Sequence, residues 1–328
     1  MLNTIPAARG DFAPASTFPR AIPLLSLFVF LAAGCSGDDN IWEPRGSTPV
    51  TLSFQNLEPL QGGLNYQAWA VEYRNGSYWG SPMGIFNFNE SGQMVDPASG
   101  EVLSGTLEAS VNVRELYGVQ VTIEMSNVVV NQPSSIYILG GTMVDGSADL
   151  GQDSWLSMEV EFSQSSGQYF LATPSDELDD NELSGVWFAD YGSGDPFQGL
   201  LIPQAPTNWD YEGWVVLGED TLSTGKFYFP AIADTTNLFG GITGNHPFPG
   251  QDFLYNAPEG LTFPTDLSGS TIFVTLEPYE QYDTEPLSPF PFKLLEATIP
   301  LDAVPHSNYD MTSLYDVRPR GTATVPLQ

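Results

Sequence analysis

Histidine is the side chain most often used for acid–base chemistry near neutral pH, and this sequence of 328 residues has two. His246 stands beside Pro-Phe-Pro-Gly-Gln-Asp-Phe, whereas His306 follows a proline in a different region. A Ser-His-Asp mechanism needs a serine presented next to such a base, and the sequence has no Gly-x-Ser-x-Gly turn. We interpret His306 as an exposed loop residue. The sequence predicts no catalytic residue, so the chain is not expected to be an enzyme.

Carboxylates are abundant, with 40 Asp and Glu residues against nine Lys and Arg. Glycoside hydrolysis requires two carboxyl groups that converge in one cleft. Glu124 and Glu277 are candidates, but they occupy the same position in two similar sequence blocks. We interpret each as a structural residue that accepts backbone N–H groups at a turn. A degenerate hydrolase is therefore the least favoured alternative.

Oxygen ligands for Ca²⁺ are available in the acidic segment 175–184. The candidate ligands there are Asp176, Asp179 and Asp180, although they match no loop of fixed ligand spacing. We favour the alternative that this segment is a solvated acidic loop. Zinc and soft metals prefer clustered Cys and His, whereas this chain has one Cys and two separated His. No cofactor is predicted, with Ca²⁺ as the alternative.

Ligand binding is the chemistry suggested by residues 244–264, a segment rich in Pro, Gly and aromatic residues. Aromatic faces next to carboxylates can hold a sugar ring or a peptide. The candidate ligand-binding residues are Phe248, Asp252, Phe253 and Tyr255. We favour the alternative that these rings bury the loop against the open end of the fold.

The formal net charge of −31 at pH 7 limits the classes of partner. A surface this acidic repels the phosphates of nucleic acids and anionic lipid headgroups, so neither is expected as a partner. The acidic residues are scattered along the chain, which favours a role in solubility over cation binding.

The N-terminal region has the features of an export signal. Arg20 precedes an apolar run at 21–33 that is too short to span a bilayer as a helix. The run leads into Leu-Ala-Ala-Gly-Cys at 31–35, which resembles the lipobox of bacterial lipoproteins. The resemblance implies a signal peptide of residues 1–34 and diacylglycerol on Cys35. Because Ser rather than Asp follows the Cys, it also implies the outer membrane of a Gram-negative-type bacterium, on either its periplasmic or its surface face.

Short strands must position these residues, because helical periodicity is absent and 27 Pro and 32 Gly are spread along the chain. In Val-Thr-Leu-Ser-Phe, alternation places Val50, Leu52 and Phe54 on one face. The Asn75–Gly76 pair between two such runs predicts a two-residue hairpin turn. The predicted class is all-β.

An internal repeat of five or six blocks in the same order sets the predicted domain organisation. The block 65–73, which contains Trp69, is echoed by 210–218, which contains Trp214. The other paired blocks are 48–54 with 184–190, 84–88 with 225–229, 119–125 with 272–278, 132–141 with 285–299, and 169–174 with 321–326. The repeat predicts that both Trp residues occupy one equivalent core position, packed between sheets.

Two tandem immunoglobulin-like β-sandwich domains follow from this repeat. The predicted boundaries are a lipidated tether at 35–47, domain 1 at 48–174, an acidic linker at 175–184 and domain 2 at 185–328. The second copy differs mainly by its longer loop at 244–264.

The block order also resembles a known family. "NYQAWAV", "GIF" and "VTIE" in the first copy, and "DYEGWVV", "GKF" and "VTLEP" in the second, resemble the extracytoplasmic C-terminal domain of anti-sigma-K factors. The resemblance implies an immunoglobulin-like sandwich outside the cytoplasm with no known catalysis. The sigma-binding domain of that family is expected to be absent, because only about 20 residues precede the apolar run. Its regulatory function is therefore not carried over.

The function expected from the sequence is non-enzymatic binding, sensing or structural display by a cell-envelope lipoprotein. The expected partners are the membrane, through the N-terminal lipid, and an envelope protein or glycan. The alternative is a carbohydrate- or protein-binding adhesion module that uses loop 244–264.

Overall fold

The computed structural model describes residues 46–192, 195–240 and 247–326. The predicted signal peptide, Cys35 and His246 lie outside the described residues. Within them, no helix combines the length and the apolar character needed to cross a membrane.

The described residues form twenty β-strands, two 3₁₀ turns and no α-helix, so the predicted all-β class is confirmed. The sheets are antiparallel and form sandwich-like or barrel-like arrangements. The strands are β1 (Thr48–Gln55), β2 (Asn65–Arg74), β3 (Ser77–Phe88), β4 (Met94–Val95), β5 (Thr106–Ala109), β6 (Leu116–Glu124), β7 (Tyr137–Thr142), β8 (Ser147–Leu150), β9 (Ser166–Leu171), β10 (Gly185–Trp187), β11 (Ala189–Asp190), β12 (Phe197–Gln198), β13 (Leu200–Leu201), β14 (Trp209–Leu217), β15 (Asp220–Phe227), β16 (Gly250–Asp252), β17 (Thr271–Pro278), β18 (Lys293–Thr298), β19 (Tyr309–Ser313) and β20 (Arg320–Thr324). The 3₁₀ turns are Glu182–Ser184 and Tyr315–Val317.

Two sheets carry the strands of the first half of the chain. One has the order β5-β1-β20-β8 and the other β4-β3-β2-β6-β7. Tyr66, Ala68 and Ala70 alternate along β2 and lie in the main hydrophobic core with Val50 and Leu52 of β1. The strand pattern of the sequence therefore does place one face of each strand in a shared core.

Eight strands of the second half of the chain join β9 of the first half in a larger sheet of nine strands. Eight of them follow the order β15-β14-β17-β18-β19-β9-β10-β16, and β13 pairs with β9. Trp209, Tyr211 and Val215 of β14 lie in the same main core as the residues of β1 and β2. One contiguous core thus includes residues from both halves of the repeat.

The closing strands of the two repeats pair with the opposite half. Strand β20, at the C-terminus, lies between β1 and β8. Strand β9 lies between β10 and β19 in the same way. Each half of the chain therefore supplies a strand to the other half's sheet, across the predicted linker 175–184. Residues Pro44–Gln328 form a single compact unit, and the division into two domains stays a prediction.

The two repeated Trp residues are buried, but not between the sheets as expected. Trp69 and Trp214 have no exposed surface. Their strand neighbours Ala68 and Val215 face the main core, so alternation directs both indoles to the opposite face of their strands. The prediction of one equivalent buried position was right, and the face was wrong because both faces of these strands are buried. Strand alternation identifies two faces without saying which one meets the facing sheet.

The predicted hairpin turn is confirmed. Tyr73 pairs with Tyr78 and Arg74 with Ser77, which leaves two residues in the turn. Asn75 has φ 53° and Gly76 has φ 80°, the left-handed values that this tight turn requires.

Candidate functional site

The candidate site lies on the outer face of the sheet where β9 and β10 meet. Leu171 pairs with Val186, and both face the main core. The next pair, Phe170 with Trp187, points the other way because successive side chains alternate across a strand. Phe170 and Trp187 form a second hydrophobic cluster with Ala172 and Ala189, separate from the main core.

A cavity of about 370 Å³ opens above this second cluster. Its walls combine four aromatic side chains, several small or proline residues and three ionisable groups. The lining residues are Phe170, Ala172, Thr173, Pro174, Asp176, Glu182, Trp187, Ala189, Tyr191, Pro196, Pro247, Phe248 and His306. We call this cavity the outer-face pocket. Its size is in the range of small-molecule sites.

Tyr191 links the apolar and polar sides of the outer-face pocket. Its ring lies 5.0 Å from that of Phe170 at an interplanar angle of 42°. On its other side it stacks on His306, with centroids 5.0 Å apart and planes 23° apart. Such contacts hold the rings in fixed orientations at little cost in side-chain entropy.

Glu182 and His306 form the polar wall of the pocket. The two side chains approach to 3.3 Å between Oε2 and Nε2. Glu182 Oε2 also accepts the backbone N–H of Thr173 at 2.9 Å. His306 is fixed by its own backbone N–H, which donates to the carbonyl of Leu171 in β9 at 2.9 Å. The side chain of His306 stays 44 % exposed and can reach a bound molecule.

Asp252 supports the floor of the pocket from below. It is fully buried, and its Oδ1 accepts the indole N–H of Trp187 at 2.9 Å. Its Oδ2 accepts the backbone N–H of Ser175 at 2.8 Å. Burial raises the pKa of Asp252 to about 6, although these hydrogen bonds favour the carboxylate. Asp252 therefore fixes the orientation of Trp187 without lining the cavity itself.

The corresponding place in the first half of the chain carries polar side chains. There the core pair Leu52–Ala323 is followed by the outward pair Ser53–Thr322, just as Leu171–Val186 is accompanied by the outward pair Phe170–Trp187. The core residues are apolar in both halves, whereas the outward residues differ. A requirement of the fold would act on both halves, so the aromatic pair calls for a separate explanation.

The structure separates the four ligand-binding candidates of loop 244–264. Phe248 lines the outer-face pocket, and Asp252 lies beneath it. Phe253 is fully buried and packs on Phe239 and Phe263, with centroids 5.5 and 5.6 Å away, so it plugs the fold as the favoured alternative expected. Tyr255 is 51 % exposed and does not line the pocket.

The acidic candidates for Ca²⁺ are not gathered around one point. Asp176 accepts hydrogen bonds from Leu178 N and Asn181 Nδ2 at 3.1 and 2.8 Å, which caps its own loop. Asp179 and Asp180 are exposed. Across the described residues, no group of three or more His, Cys, Asp or Glu side chains is arranged to hold a metal ion.

The sequence analysis did not single out three of the pocket's aromatic residues, Phe170, Trp187 and Tyr191, or its carboxylate Glu182. His306 was interpreted as an exposed loop residue, and its exposure agrees with this, but it also lines the pocket. A signal was present in the repeat, because aligning the blocks 48–54 and 184–190 residue by residue sets Trp187 against the polar Thr51. Comparing the two copies position by position would have identified Trp187.

No protein-family model, curated protein or solved structure matches this chain. The resemblance to the outer domain of anti-sigma-K factors therefore stays a prediction from short motifs.

Proposed function

We propose that this protein is a non-enzymatic, lipid-anchored protein of the bacterial cell envelope that binds a saccharide in the outer-face pocket. The observation that carries the proposal is the aromatic pair Phe170–Trp187, joined by Tyr191 and Phe248. These rings stand where the first half of the chain has Ser53 and Thr322.

A saccharide fits the mixture of groups around the cavity. Aromatic faces pack against the C–H faces of a sugar ring, and hydroxyls need a few fixed polar partners. Glu182 and His306 supply an acceptor and a ring nitrogen at one wall. Glu182 and His306 contact each other, so a neutral ligand that covers them would not bury an unpaired charge.

We propose no catalysis because the carboxylates of the pocket are already engaged by other groups of the protein. Glycosidases need two carboxyl groups on opposite sides of the scissile bond, free to exchange protons. Glu182 accepts from Thr173 N and contacts His306, while Asp176 caps its own loop. Each carboxylate of the pocket thus already has a structural partner.

The envelope location is supported by the lipobox-like sequence before Cys35. Radioactive palmitate fed to producing cells should label the wild-type chain, and a Cys35→Ser variant should remain unlabelled and keep its leader. Equal labelling of both chains would contradict the anchor.

Binding is tested by screening the protein on an array of neutral and acidic oligosaccharides, followed by calorimetric titration of the best glycan. We expect Phe248→Ala to weaken this binding about three- to tenfold, because one stacking face is lost. Tyr255→Ala is the matched control: it removes an aromatic ring from the same loop but outside the pocket. Its affinity should equal that of the wild type.

Melting curves of both variants show whether the fold is kept. A well-folded protein that binds no glycan, or binding that Tyr255→Ala weakens as much as Phe248→Ala, would overturn the saccharide assignment. Binding to a peptide array with loss in Phe248→Ala would instead support the protein-binding alternative.

A further inference from the structure

The hairpin β2–β3 carries an exposed group of aromatic residues at its turn. Eight aromatic side chains are strongly exposed among the described residues, and four of them gather here: Tyr73, Tyr78, Trp79 and Trp155. Their exposed fractions lie between 45 and 53 %. Tyr117 of β6 completes the group, and we call the five residues the aromatic hairpin end. Exposed apolar clusters of this kind mark interaction surfaces.

These rings contact one another and surround the turn on both sides. Tyr78 lies 4.8 Å from each of Tyr73, Tyr117 and Trp155, measured between centroids. Trp79 follows Tyr78 in β3 and so points to the other face of the hairpin, where the guanidinium of Arg74 lies 5.9 Å from its ring centre. The projecting turn therefore has aromatic side chains on both of its faces.

The aromatic hairpin end is not a requirement of the fold. The second half of the chain has the corresponding hairpin β14–β15, in which Leu217 pairs with Asp220 and Val216 with Thr221 next to the turn. In both hairpins the first strand also pairs with a later strand of the same sheet, β2 with β6 and β14 with β17. Only the first one carries aromatic residues at its turn.

The chain enters the fold at the same end. Gly46, the first described residue, lies against Asn112. A methyl group placed on the Cα of Gly46 would be 3.3 Å from the Cα of Asn112. The carbonyl of Asn112 accepts the N–H of Leu116 at 3.1 Å, so a single turn connects it to Tyr117 of the aromatic hairpin end. Ten residues, 36–45, lie between Cys35 and Gly46, and this segment can span at most about 40 Å.

We propose that the aromatic hairpin end docks onto the lipid–water interface of the membrane that holds the N-terminal lipid. The inference rests on the lipid anchor of the proposed function and goes beyond it. Tyr and Trp are the side chains that favour the interface, because each has an apolar body and a polar tip. Arg74, whose guanidinium lies 3.5 Å from the carboxylate of Glu72 and 5.9 Å from the ring centre of Trp79, adds a cation that can meet lipid phosphate.

A lipid surface fits this group better than a glycan does. Stacking of extended saccharides needs ring faces that lie in one plane, whereas Tyr78 is tilted 61° from both Tyr117 and Trp155. Rings at different tilts on two faces of a narrow turn suit insertion among headgroups. The interface would be zwitterionic, because the net charge of −31 opposes anionic lipid.

The consequence is a fixed orientation at the membrane. Docking at the hairpin end places the far end of β6 away from the lipid. There Asn208 donates to the carbonyl of Ser135, and Tyr279 N donates to Asn208 O at 2.9 Å. Tyr279 is 47 % exposed and provides a position for an internal control.

The test uses the full lipidated protein in phosphatidylcholine vesicles whose acyl chains carry bromine close to the headgroup. Trp42 is first replaced by Phe, because it lies in the tether; six Trp then remain of seven. Bromine quenches only indoles that reach the interface, and four of the six are buried. Two of the six indoles, Trp79 and Trp155, are exposed, so we expect the Trp emission to fall by up to about a third when brominated lipid replaces plain lipid. The double variant Trp79→Phe/Trp155→Phe should lose this quenching.

Adding Tyr279→Trp to that double variant restores an exposed indole at the far end, and we expect it not to be quenched. Quenching that persists in the double variant, or absence of quenching in protein that stays on the vesicles, would overturn the docking. Protein that leaves the vesicles on washing would instead contradict the lipid anchor, so the two failures are distinguishable. Cross-links between the hairpin ends of two vesicle-bound chains would reassign the surface to a second copy of the protein. Protection of the hairpin-end indoles from bromine quenching by a soluble glycan would reassign the surface to a saccharide.

Discussion

At the residue scale, a chain of hydrogen bonds explains why the repeat keeps Trp, Thr and Glu together. The indole N–H of Trp214 donates to Thr275 Oγ1 at 2.8 Å, and that hydroxyl donates to Glu277 Oε1. Glu277 also accepts the backbone N–H of Phe290 at 2.8 Å. The first half repeats the chain from Trp69 through Thr122 and Glu124 to the N–H of Ser134. Each Glu therefore holds a turn through a backbone N–H, as interpreted from the sequence.

The central hydroxyl is the member of this chain whose loss should cost most. Thr275→Val keeps the shape of the side chain but leaves the N–H of Trp214 buried without an acceptor. We expect the free energy of unfolding to fall by about 1–3 kcal/mol in urea titrations. Thr51→Val is the matched control, because Thr51 is exposed and should change stability by less than about 0.5 kcal/mol. Equal effects of the two variants would contradict the role of the hydrogen-bond chain.

The two halves differ in charge beside this conserved chain. Asn65 and Gln67 of β2 stand where β14 has Asp210 and Glu212, as their pairing with β6 and β17 shows. Lys226 lies 2.6 Å from Asp283 and 3.9 Å from Glu212. Burial raises the pKa of Glu212 to about 7, and nearby Lys226 only partly offsets this effect. Burial likewise raises the pKa of Glu277 to about 8.

These raised pKa values predict that the protein becomes less stable as pH rises. The protonated acids contribute fully below their unfolded pKa, near 4.5, and the contribution is lost as pH rises through about 7 to 8. Glu212→Gln copies the residue of the first half and cannot ionise. It should raise the free energy of unfolding at pH 8 by about 1–3 kcal/mol and change it little at pH 5.

Urea titrations at pH 5 and pH 8 measure this difference. Glu219→Gln serves as control, because Glu219 is exposed in the turn after the same strand. Its pH dependence should follow that of the wild type. Parallel pH profiles for Glu212→Gln and the wild type would exclude Glu212 as a source of the effect.

At the element scale, the exchange of β9 and β20 is the distinctive feature of the fold. Strand β20 completes the sheet of the first half, with Ala323 opposite Leu52 of β1 and Ala148 of β8. In the second half Tyr169 of β9 pairs with Tyr309. A defect in either strand should therefore be felt in the other half of the chain.

Thr322→Pro tests this coupling, because proline removes a ladder hydrogen bond and is poorly tolerated in a strand with neighbours on both sides. We expect hydrogen exchange to accelerate in β1 and β8, while β17 and β18 keep their protection. Thr322→Val is the control, since Thr322 is exposed and Val suits a strand. Loss of protection confined to the second half would contradict the observed pairing.

The limits of prediction from sequence follow from the same elements. Alternation and the Asn75–Gly76 pair depend on local sequence, and both were recovered in the structure. The exchange could not be predicted, because the closing blocks 169–174 and 321–326 carry similar patterns, and these patterns do not indicate which sheet each strand joins. The outer-face pocket was not predicted from the sequence, for a related reason. It joins Phe170, Glu182 and His306, which only strand pairing brings together.

At the scale of the whole molecule, the two halves are tied by more than the exchanged strands. The rings of Phe162 and Phe292 meet with centroids 5.9 Å apart. Gln152 Nε2 donates to the carbonyl of Pro319 at 2.6 Å in a buried position. Since one hydrophobic core contains residues of both halves, we expect a single cooperative unfolding transition.

Separating the halves should therefore abolish folding of each. A polypeptide of residues 46–174 lacks β20, so β1 and β8 lose the strand between them. A polypeptide of residues 175–326 lacks β9, so β10 and β19 lose the strand that lies between them. Circular dichroism and urea titration should show no cooperative transition for either piece alone.

The matched control restores the missing strand within one chain. Residues 46–165 joined through a Gly-Ser linker to residues 318–326 carry β1 to β8 together with β20, and this polypeptide should unfold cooperatively where 46–174 does not. Because strand register depends on the pattern of inward side chains, Ala323 should again lie opposite Leu52. Independent folding of 46–174 would instead show that β9 can replace β20 in its own sheet, and it would favour the two-domain division at 175–184.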